Sequence, residues 1–413
     1  MILRSNFIKS RIRPWVRFNH TPPIPFYFNQ KTYIPSNQEA EELNELSNGY
    51  IQPQPKNSDH VIIAMSSGVD SSVCAALFKD YPKVRGLYMA NWNQNSVCVE
   101  RDWIDVQKIC KKLNIPVERV NFEFEYWTNV FEPMIEKYKN GLTPNPDINC
   151  NKYVKFGKLV NYLDSKYENY KLVTGHYARI MKKDDEFQLL RGSSTRKDQS
   201  YYLSTIPKDC LNKLILPIGH FTKREVRKMA KEFKLENYNK KDSQGLCFVN
   251  PDQKNFRQFL NEYLESNPGN IITEDGRIWG KHQGLWHATI GQRSSVSMPQ
   301  GNPDFTGVWY VSEKRPLTNE IVIVKGHDNP KLYKDKIEIG DLHLFYSIDE
   351  VLNMDSLSFQ YSSLTKPTNI KSIRENGDGK LIVKLVEPAR AVTPGQGGVL
   401  YRDNQVIGCG MIM

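Results

Sequence analysis

VIIAMSSGVDSSVCAALF, residues 61–78, decides how the rest of the chain is read. Val61 to Met65 form an apolar run of the length of a buried strand, and beyond the break Val73, Ala76 and Leu77 fall at helical spacing. Between them lie Ser66, Ser67 and Gly68. A strand that becomes a helix within three small residues presents unpaired helix-terminal N–H groups at the turn. These carry the positive end of the helix dipole, so the turn is a ready phosphate site. Gly68 allows close approach to the backbone, and the hydroxyls of Ser66, Ser67, Ser71 and Ser72 add donors. No Gly-Lys is followed by Ser or Thr anywhere in the chain, which excludes a Walker loop, and the turn holds no GxGxxG fingerprint.

Outward from this stretch, strand and helix signals alternate. GLYMANW (86–92) reads as a strand; Trp103, Val106, Cys110 and Leu113 form a helical stripe; VERVNF (117–122) reads as the next strand. Trp127, Val130, Phe131, Met134, Ile135 and Tyr138 predict an amphipathic helix over 126–138, with Gly141 beyond its end. Such alternation implies a parallel sheet with helices on its faces. TPNPDINCN (143–151) reads as a loop stiffened by Pro144 and Pro146, followed by a helix near 154–163 and a strand, KLVTGHYARI, over 171–180. Thr222 and Glu225 make a capping box, and Phe256, Phe259, Leu260 and Tyr263 mark a further helix. From about residue 270 short β-rich runs take over: EIVIVKG, KIEIGDLHLF, SLSFQYS, KLIVKLV, GGVLYRD and QVIGCGM predict a small C-terminal barrel or sandwich.

Composition narrows the class. At 413 residues the chain exceeds the usual size of one core, and no apolar run approaches the length of a membrane span. Of the net charge of +10, six units come from Arg4, Lys9, Arg11, Arg13, Arg17 and Lys31, in a first 38 residues that contain no acid. An Arg-rich, acid-free start with apolar residues interspersed reads as a mitochondrial transit peptide before it reads as a basic nucleic-acid-binding tail. The seven cysteines are scattered, with no CxxC pair and no zinc spacing, which argues for a reducing compartment.

Taken singly, Cys150 and Cys247 each read as small core residues before they read as nucleophiles. The set of motifs changes that. SSGVDS (66–71) resembles the S-G-G-x-D-S loop of ATP pyrophosphatases, with Ser67 where a glycine is usual. AMSSGVDSS, LYMANW, TPNPDINCNKYVKF, VTGHYAR, KDQSYYL, DSQGLCF, GKHQGLWHATIGQR and VTPGQGGVLY, in that order from residue 59 onward, resemble the tRNA-specific 2-thiouridylase family, its mitochondrial members above all.

The resemblance implies an α/β fold: a parallel-sheet PP-loop ATP pyrophosphatase domain (59–235), a small central tRNA-binding domain (236–316) and a C-terminal β-barrel (317–413), after a transit peptide and connector (1–58). It implies ATP, with Mg2+, held by Ala64, Met65, Ser66, Ser67, Gly68, Val69, Asp70 and Ser71, with Met89 and Gly175 also touching the nucleotide. Adenylation of O2 of a tRNA wobble uridine turns a poor leaving group into a good one. Sulfur then arrives from a persulfide on Cys247, with Cys150 as the second active cysteine and Asp147 as general acid/base. Asn145, Pro146 and Asp147 match residues that meet the target base; His176, Lys197, Asp198, Gln199 and Gln396 match tRNA contacts. The partners implied are tRNA and an upstream sulfur-relay protein or cysteine desulfurase, in the mitochondrial matrix, with no membrane contact. Gln360, Tyr361 and Ser362 stand where the family commonly has an Arg-Tyr-Arg-Gln type motif, which weakens the expected phosphate contacts of the barrel. On the loop alone, a synthetase adenylating a small molecule and a non-catalytic RNA-binding protein stay open.

Overall fold

β1 (His60–Met65), β2 (Val84–Ala90), β3 (Val117–Asn121) and β4 (Tyr170–Val173) run parallel, and after a hairpin of β5 (Ala178–Lys183) and β6 (Glu186–Arg191) the short β7 (Leu214–Ile215) joins them. The sheet order is β3-β2-β1-β4-β7. A computed structural model describes residues 50–92, 96–242, 256–298, 301–363 and 365–413. The basic segment read as a transit peptide, and Cys247, lie outside the described residues.

The apolar run in β1 has no polar alternation because both faces of the sheet are covered. Val61, Ile63 and Met65 pack with Val73, Cys74 and Leu77 of the helix Val69–Phe78 and with Val106 and Cys110 of the helix Ser96–Lys112. Ile62, Leu87 and Leu172 point the other way, onto Tyr126, Val130 and Leu163. Each such aliphatic side chain contributes roughly 1.5–3 kcal/mol by leaving water.

The expected amphipathic helix forms, but in three continuous pieces: Glu123–Tyr126, a π-helical turn Trp127–Phe131, and Glu132–Lys139 with Pro133 in its first turn. The stretch read as a stiff loop, TPNPDINCN, is corrected more sharply, because a helix begins inside it at Pro146. Asn145 is its N-cap and accepts a hydrogen bond from the Asp147 N–H at 3.1 Å. Proline suits the first helical position, where its missing N–H costs nothing, so the sequence fits a helix start. The helix continues as a π-helical segment, Cys150–Lys158, and then Leu159–Lys166. A Cβ at Gly157 would lie 2.7 Å from the Lys152 carbonyl oxygen, so the widened turn requires glycine there.

KLVTGHYARI is likewise two strands. β4 ends at Val173, and β5 pairs antiparallel with β6 across Asp184 and Asp185, both at positive φ (49° and 65°). Ile51, read as part of a connector without fold, bridges to Lys182 of β5.

The middle sheet has β8 (Gly269–Thr273), β9 (Ile278–His282), β10 (Trp309–Arg315) and β11 (Glu320–Lys325) in the order β10-β11-β8-β9. EIVIVKG, grouped by sequence with the barrel, is β11 and belongs here, paired in parallel with β8. β12 (Tyr333–Leu344), β13 (Leu357–Gln360), β14 (Thr368–Glu375), β15 (Leu381–Arg390), β16 (Gly397–Arg402) and β17 (Gln405–Ile412) pair antiparallel in the ring β12-β15-β14-β13-β16-β17, which the β17–β12 pairing closes into the expected barrel. Ile339, Phe359, Val383, Leu400 and Ile407 fill it. β6 pairs with β17, so the hairpin that leaves the parallel sheet is fastened to the barrel.

Candidate active site

In a sheet of this order the chain runs to opposite sides from β1 and β4, and the crevice beyond their C-terminal ends is where an open parallel sheet binds ligands. A cavity of about 270 Å³ lies there. Of the residues expected at a nucleotide, Ala64, Met65, Ser66, Gly68, Val69, Asp70, Ser71, Met89 and Gly175 line it. The turn is pre-set: the Ser66 N–H donates to Ser71 Oγ (3.0 Å), Ser71 Oγ donates to the Ser66 carbonyl (2.9 Å), and the Gly68 N–H donates to Ser66 Oγ (3.2 Å). Gly68 is the N-cap and supplies no side-chain oxygen, which leaves the first turn of the helix open to an anion. Opposite, a Cβ on Gly175 would come within 3.0 Å of the Ser71 nitrogen, so only glycine lets the strand end approach the helix start.

Ser67 does not line the cavity. Its hydroxyl turns away from the crevice, donating to Asp102 Oδ1 at 2.5 Å and accepting from Lys240 Nζ at 2.7 Å, while Asn237 Nδ2 donates to its carbonyl at 3.1 Å. The side chain braces the turn from behind, which gives its departure from the family glycine a reason.

The crevice wall is charged. Lys223 Nζ lies 2.7 Å from Asp70 Oδ1 and 2.9 Å from Asp242 Oδ1; Tyr177 Oη donates to Asp70 at 2.8 Å. Lys197 and Arg227 also pair with Asp242, each at 2.8 Å. Burial alone would raise the Asp242 carboxyl, but the hydrogen bonds from Lys197 and Lys223 outweigh it and hold it at about 2.

The helix that starts at Pro146 borders the same crevice. Asp147 and Cys150 lie three residues apart, on one face at its N-terminal end, while Lys155 and Leu159 line the cavity further along. Asp147 is exposed yet crowded by protein on most sides, as on the wall of an open cleft. The crowding raises its carboxyl above the usual range, with Lys155 opposing. Cys150 is buried at the start of the π-helical segment. Asn151 beside it is buried, its Nδ2 donating to the Tyr202 carbonyl at 3.0 Å.

The residues matched to tRNA contacts divide. His176, Lys197 and Gln199 line the cavity itself. Desolvation, with Lys155 nearby, lowers His176 to about 3, so the ring is neutral; its Nδ1 shares a 2.8 Å hydrogen bond with Thr174 Oγ1. Gln199 Oε1 accepts from the Tyr177 N–H at 2.9 Å. Asp198 is buried, accepts from the Gly192 and Ser200 N–H groups at 2.9 and 3.0 Å, and pairs with Arg191 Nε at 3.1 Å, so its carboxylate is engaged within the fold. Gln396 Nε2 donates to the Thr143 carbonyl at 2.6 Å, so the barrel holds the approach to Asn145 and Pro146. Gln360 is buried and accepts from Arg191, which also stacks on Tyr401 at 4.3 Å; it faces inward, where an arginine would meet no phosphate.

The sequence reading passed over Lys155, Tyr177, Lys223 and Asp242. Lys223 had a signal: a lysine in the first turn of a helix opposes the dipole, and here two carboxylates account for it.

A serine-rich strand-to-helix turn at the switch point of a parallel sheet, with a small sheet and a closed barrel behind it, defines a nucleotide-binding α/β protein with a β-barrel appended. Family models agree: one described as tRNA methyl transferase HUP domain matches residues 59–251, one described as tRNA methyl transferase PRC-barrel domain matches 257–325, and one described as Aminomethyltransferase beta-barrel domain matches 334–412. The chain is 49% identical over 388 residues to mitochondrial tRNA-specific 2-thiouridylase 1 of Saccharomyces cerevisiae, which covers 87% of this chain and 93% of that one. It is 40% identical over 367 residues to the tRNA-specific 2-thiouridylase MnmA of Buchnera aphidicola subsp. Acyrthosiphon pisum, covering 86% and 97%. The chain belongs to the tRNA-specific 2-thiouridylase family.

Proposed function

We propose that this protein is a mitochondrial tRNA 2-thiouridylase, which uses ATP to activate O2 of the wobble uridine and a cysteine persulfide to replace it with sulfur. The observation that carries the reading is one helix bordering both halves of the chemistry: Asp147 and Cys150 at its start, Lys155 and Leu159 against the phosphate-accepting crevice.

In this reading ATP lies across the crevice, its phosphates on the open helix start after Gly68 and its adenosine toward Met89 and Gly175. Mg2+ bound with the nucleotide would offset the charge of the phosphates. O2 of the uridine attacks the α-phosphorus; pyrophosphate leaves and the base carries AMP. Asn145, Pro146 and Asp147 meet the unstacked base, and the raised Asp147 carboxyl takes the ring N3 proton as the O2–phosphorus bond forms and returns it once sulfur has replaced AMP.

Sulfur comes from Cys247 as a persulfide loaded by an upstream relay protein or desulfurase. The Cys150 thiolate attacks the Cys247 sulfur, the S–S bond to the terminal sulfur breaks, and that sulfur, with its electron pair, goes to C2 while AMP leaves. A Cys150–Cys247 disulfide remains, and a dithiol reductant supplies the two electrons that reopen it. His176, Lys197, Gln199 and the barrel side of Gln396 guide the tRNA, while Asp198 holds the local backbone. The domain divisions at 58 and 235 are part of the same proposal, with the division expected at 316 moved beyond β11, which pairs within the middle sheet.

The test is nucleoside analysis of mitochondrial tRNA from cells lacking the protein. Loss of 2-thiouridine, restored by the wild-type chain, is expected; normal 2-thiouridine in the null strain contradicts the reading.

A further inference from the structure

The crevice holds more positive charge than its own carboxylates need. Among the described residues Lys155, Lys197, Lys223 and Lys241 line it and Arg227 stands behind Asp242, against Asp70 and Asp242. Three of these cations converge on the single Asp242 carboxylate: Lys197 at 2.8 Å, Lys223 at 2.9 Å and Arg227 at 2.8 Å. Two of the three, Lys197 and Lys223, face the cavity, which the uncapped helix start at Gly68 also lines. A carboxylate ringed by three cations beside an open helix N-terminus occupies the position an incoming phosphate group would take. It offers two oxygens and one charge where pyrophosphate offers more of both, so the phosphate is the stronger partner for the same lysines.

We propose that Lys223, with Lys197 beside it, is a pyrophosphate-binding cation of the crevice, and that Asp242 is a resident anion that engages these lysines until the phosphates of ATP displace it. The loop then has its lysine after all, supplied by the first turn of the 223–232 helix instead of by the turn itself. Lys223 keeps its bonds to Asp70 at 2.7 and 2.8 Å during the exchange, so it stays aimed at the helix start while its other partner changes. Arg227 receives the displaced Asp242, which also accounts for a third cation that does not face the cavity. The inference rests on the ATP-binding reading above and adds which groups grip the phosphates and what competes with them.

Calorimetric titration of the full-length protein with inorganic pyrophosphate, and separately with adenosine, tests it. Asp242→Asn is expected to bind pyrophosphate at least about tenfold more tightly than wild type, Lys223→Gln at least about tenfold more weakly, with adenosine affinity unchanged in both. Because Asp242→Asn takes one charged partner from three cations and lowers stability, the melting temperature is followed as well: pyrophosphate should raise it more in Asp242→Asn than in wild type, since the ligand replaces the missing anion. Where Asp242→Asn yields no soluble protein, Lys223→Gln carries the test alone. Equal or weaker pyrophosphate binding by Asp242→Asn, or unchanged binding by Lys223→Gln, overturns the inference while leaving the nucleotide site standing. If wild type and both variants bind neither ATP nor pyrophosphate, the nucleotide reading falls and takes the inference with it.

Discussion

Two helices begin at the candidate active site, and they begin differently. The helix after Gly68 has no capping side chain, whereas the helix after Asn145 is capped, with the Asp147 N–H satisfied by Asn145 Oδ1. The open start offers backbone donors to a ligand. The capped start has spent a donor on itself and presents side chains instead, Asp147 and then Cys150. The same local device thus serves anion binding in one place and the presentation of reactive groups in the other, and the choice lies in a single N-cap residue, glycine or asparagine.

Each half of that contrast can be broken. The largest effect is expected at the capped helix: Cys150→Ser should reduce 2-thiouridine formation to background while AMP and pyrophosphate still form. Thiolation at wild-type rate would remove Cys150 from the chemistry. Next is Gly175→Val, which drives a side chain against the Ser71 nitrogen, only 3.0 Å from the position of the new Cβ. Overpacking of about 1–3 kcal/mol corresponds to roughly 5- to 150-fold weaker ATP binding, read by calorimetry. Unchanged affinity would mean the crevice is not where the nucleotide sits.

Exchanging the two starts sharpens the comparison further. Gly68→Ser installs a capping oxygen on the open helix, at φ −77° and ψ 160° where any residue fits. Fold stability should change by only a few tenths of a kcal/mol while ATP affinity falls about tenfold. Asn145→Ala removes a cap worth about 1 kcal/mol and should lower turnover without touching ATP affinity, and Asn145→Asp should restore it. If both variants weaken ATP equally, the two helix starts do not divide the work.

How much of this was legible in the sequence depends on how far each residue's partner lies along the chain. The open turn was readable because strand, Ser/Gly break and helix are contiguous, and VIIAM announces a strand buried on both faces. The second helix start was misread because Pro144 and Pro146 signal a stiff loop as readily as a helix entry, and the Asn145 cap that decides is only a weak local preference. The bracing role of Ser67 resisted sequence reading because its partners, Asp102 and Lys240, lie 35 and 173 residues away. Lys223 meets Asp70 from 153 residues away, and Asp242 joins the site only by meeting Lys223, contacts set by packing and not by periodicity. The placement of EIVIVKG with the middle sheet had no local signal either, since a strand run does not name its partner.

The smallest expected effect lies where the barrel and middle sheet hold the approach to the capped helix. Lys314 Nζ donates to Thr143 Oγ1 at 3.1 Å, and burial pushes its ammonium down to about 7 from an ordinary 10.5. Between those values the unfolded chain binds a proton that the folded chain has released, so stability should rise with pH from about 7 toward 10.5. Lys314→Met should flatten that rise in urea midpoints measured across the window. An unchanged slope would place its source elsewhere.

The central claim, that one site couples ATP cleavage to sulfur insertion, is tested most directly by stoichiometry. Purified protein with Cys247 loaded as a persulfide is mixed with unmodified mitochondrial tRNA and Mg-ATP, and AMP and 2-thiouridine are counted in a single turnover. One AMP for each 2-thiouridine, and AMP without 2-thiouridine in Cys150→Ser, is the predicted result; 2-thiouridine formed without AMP would contradict it.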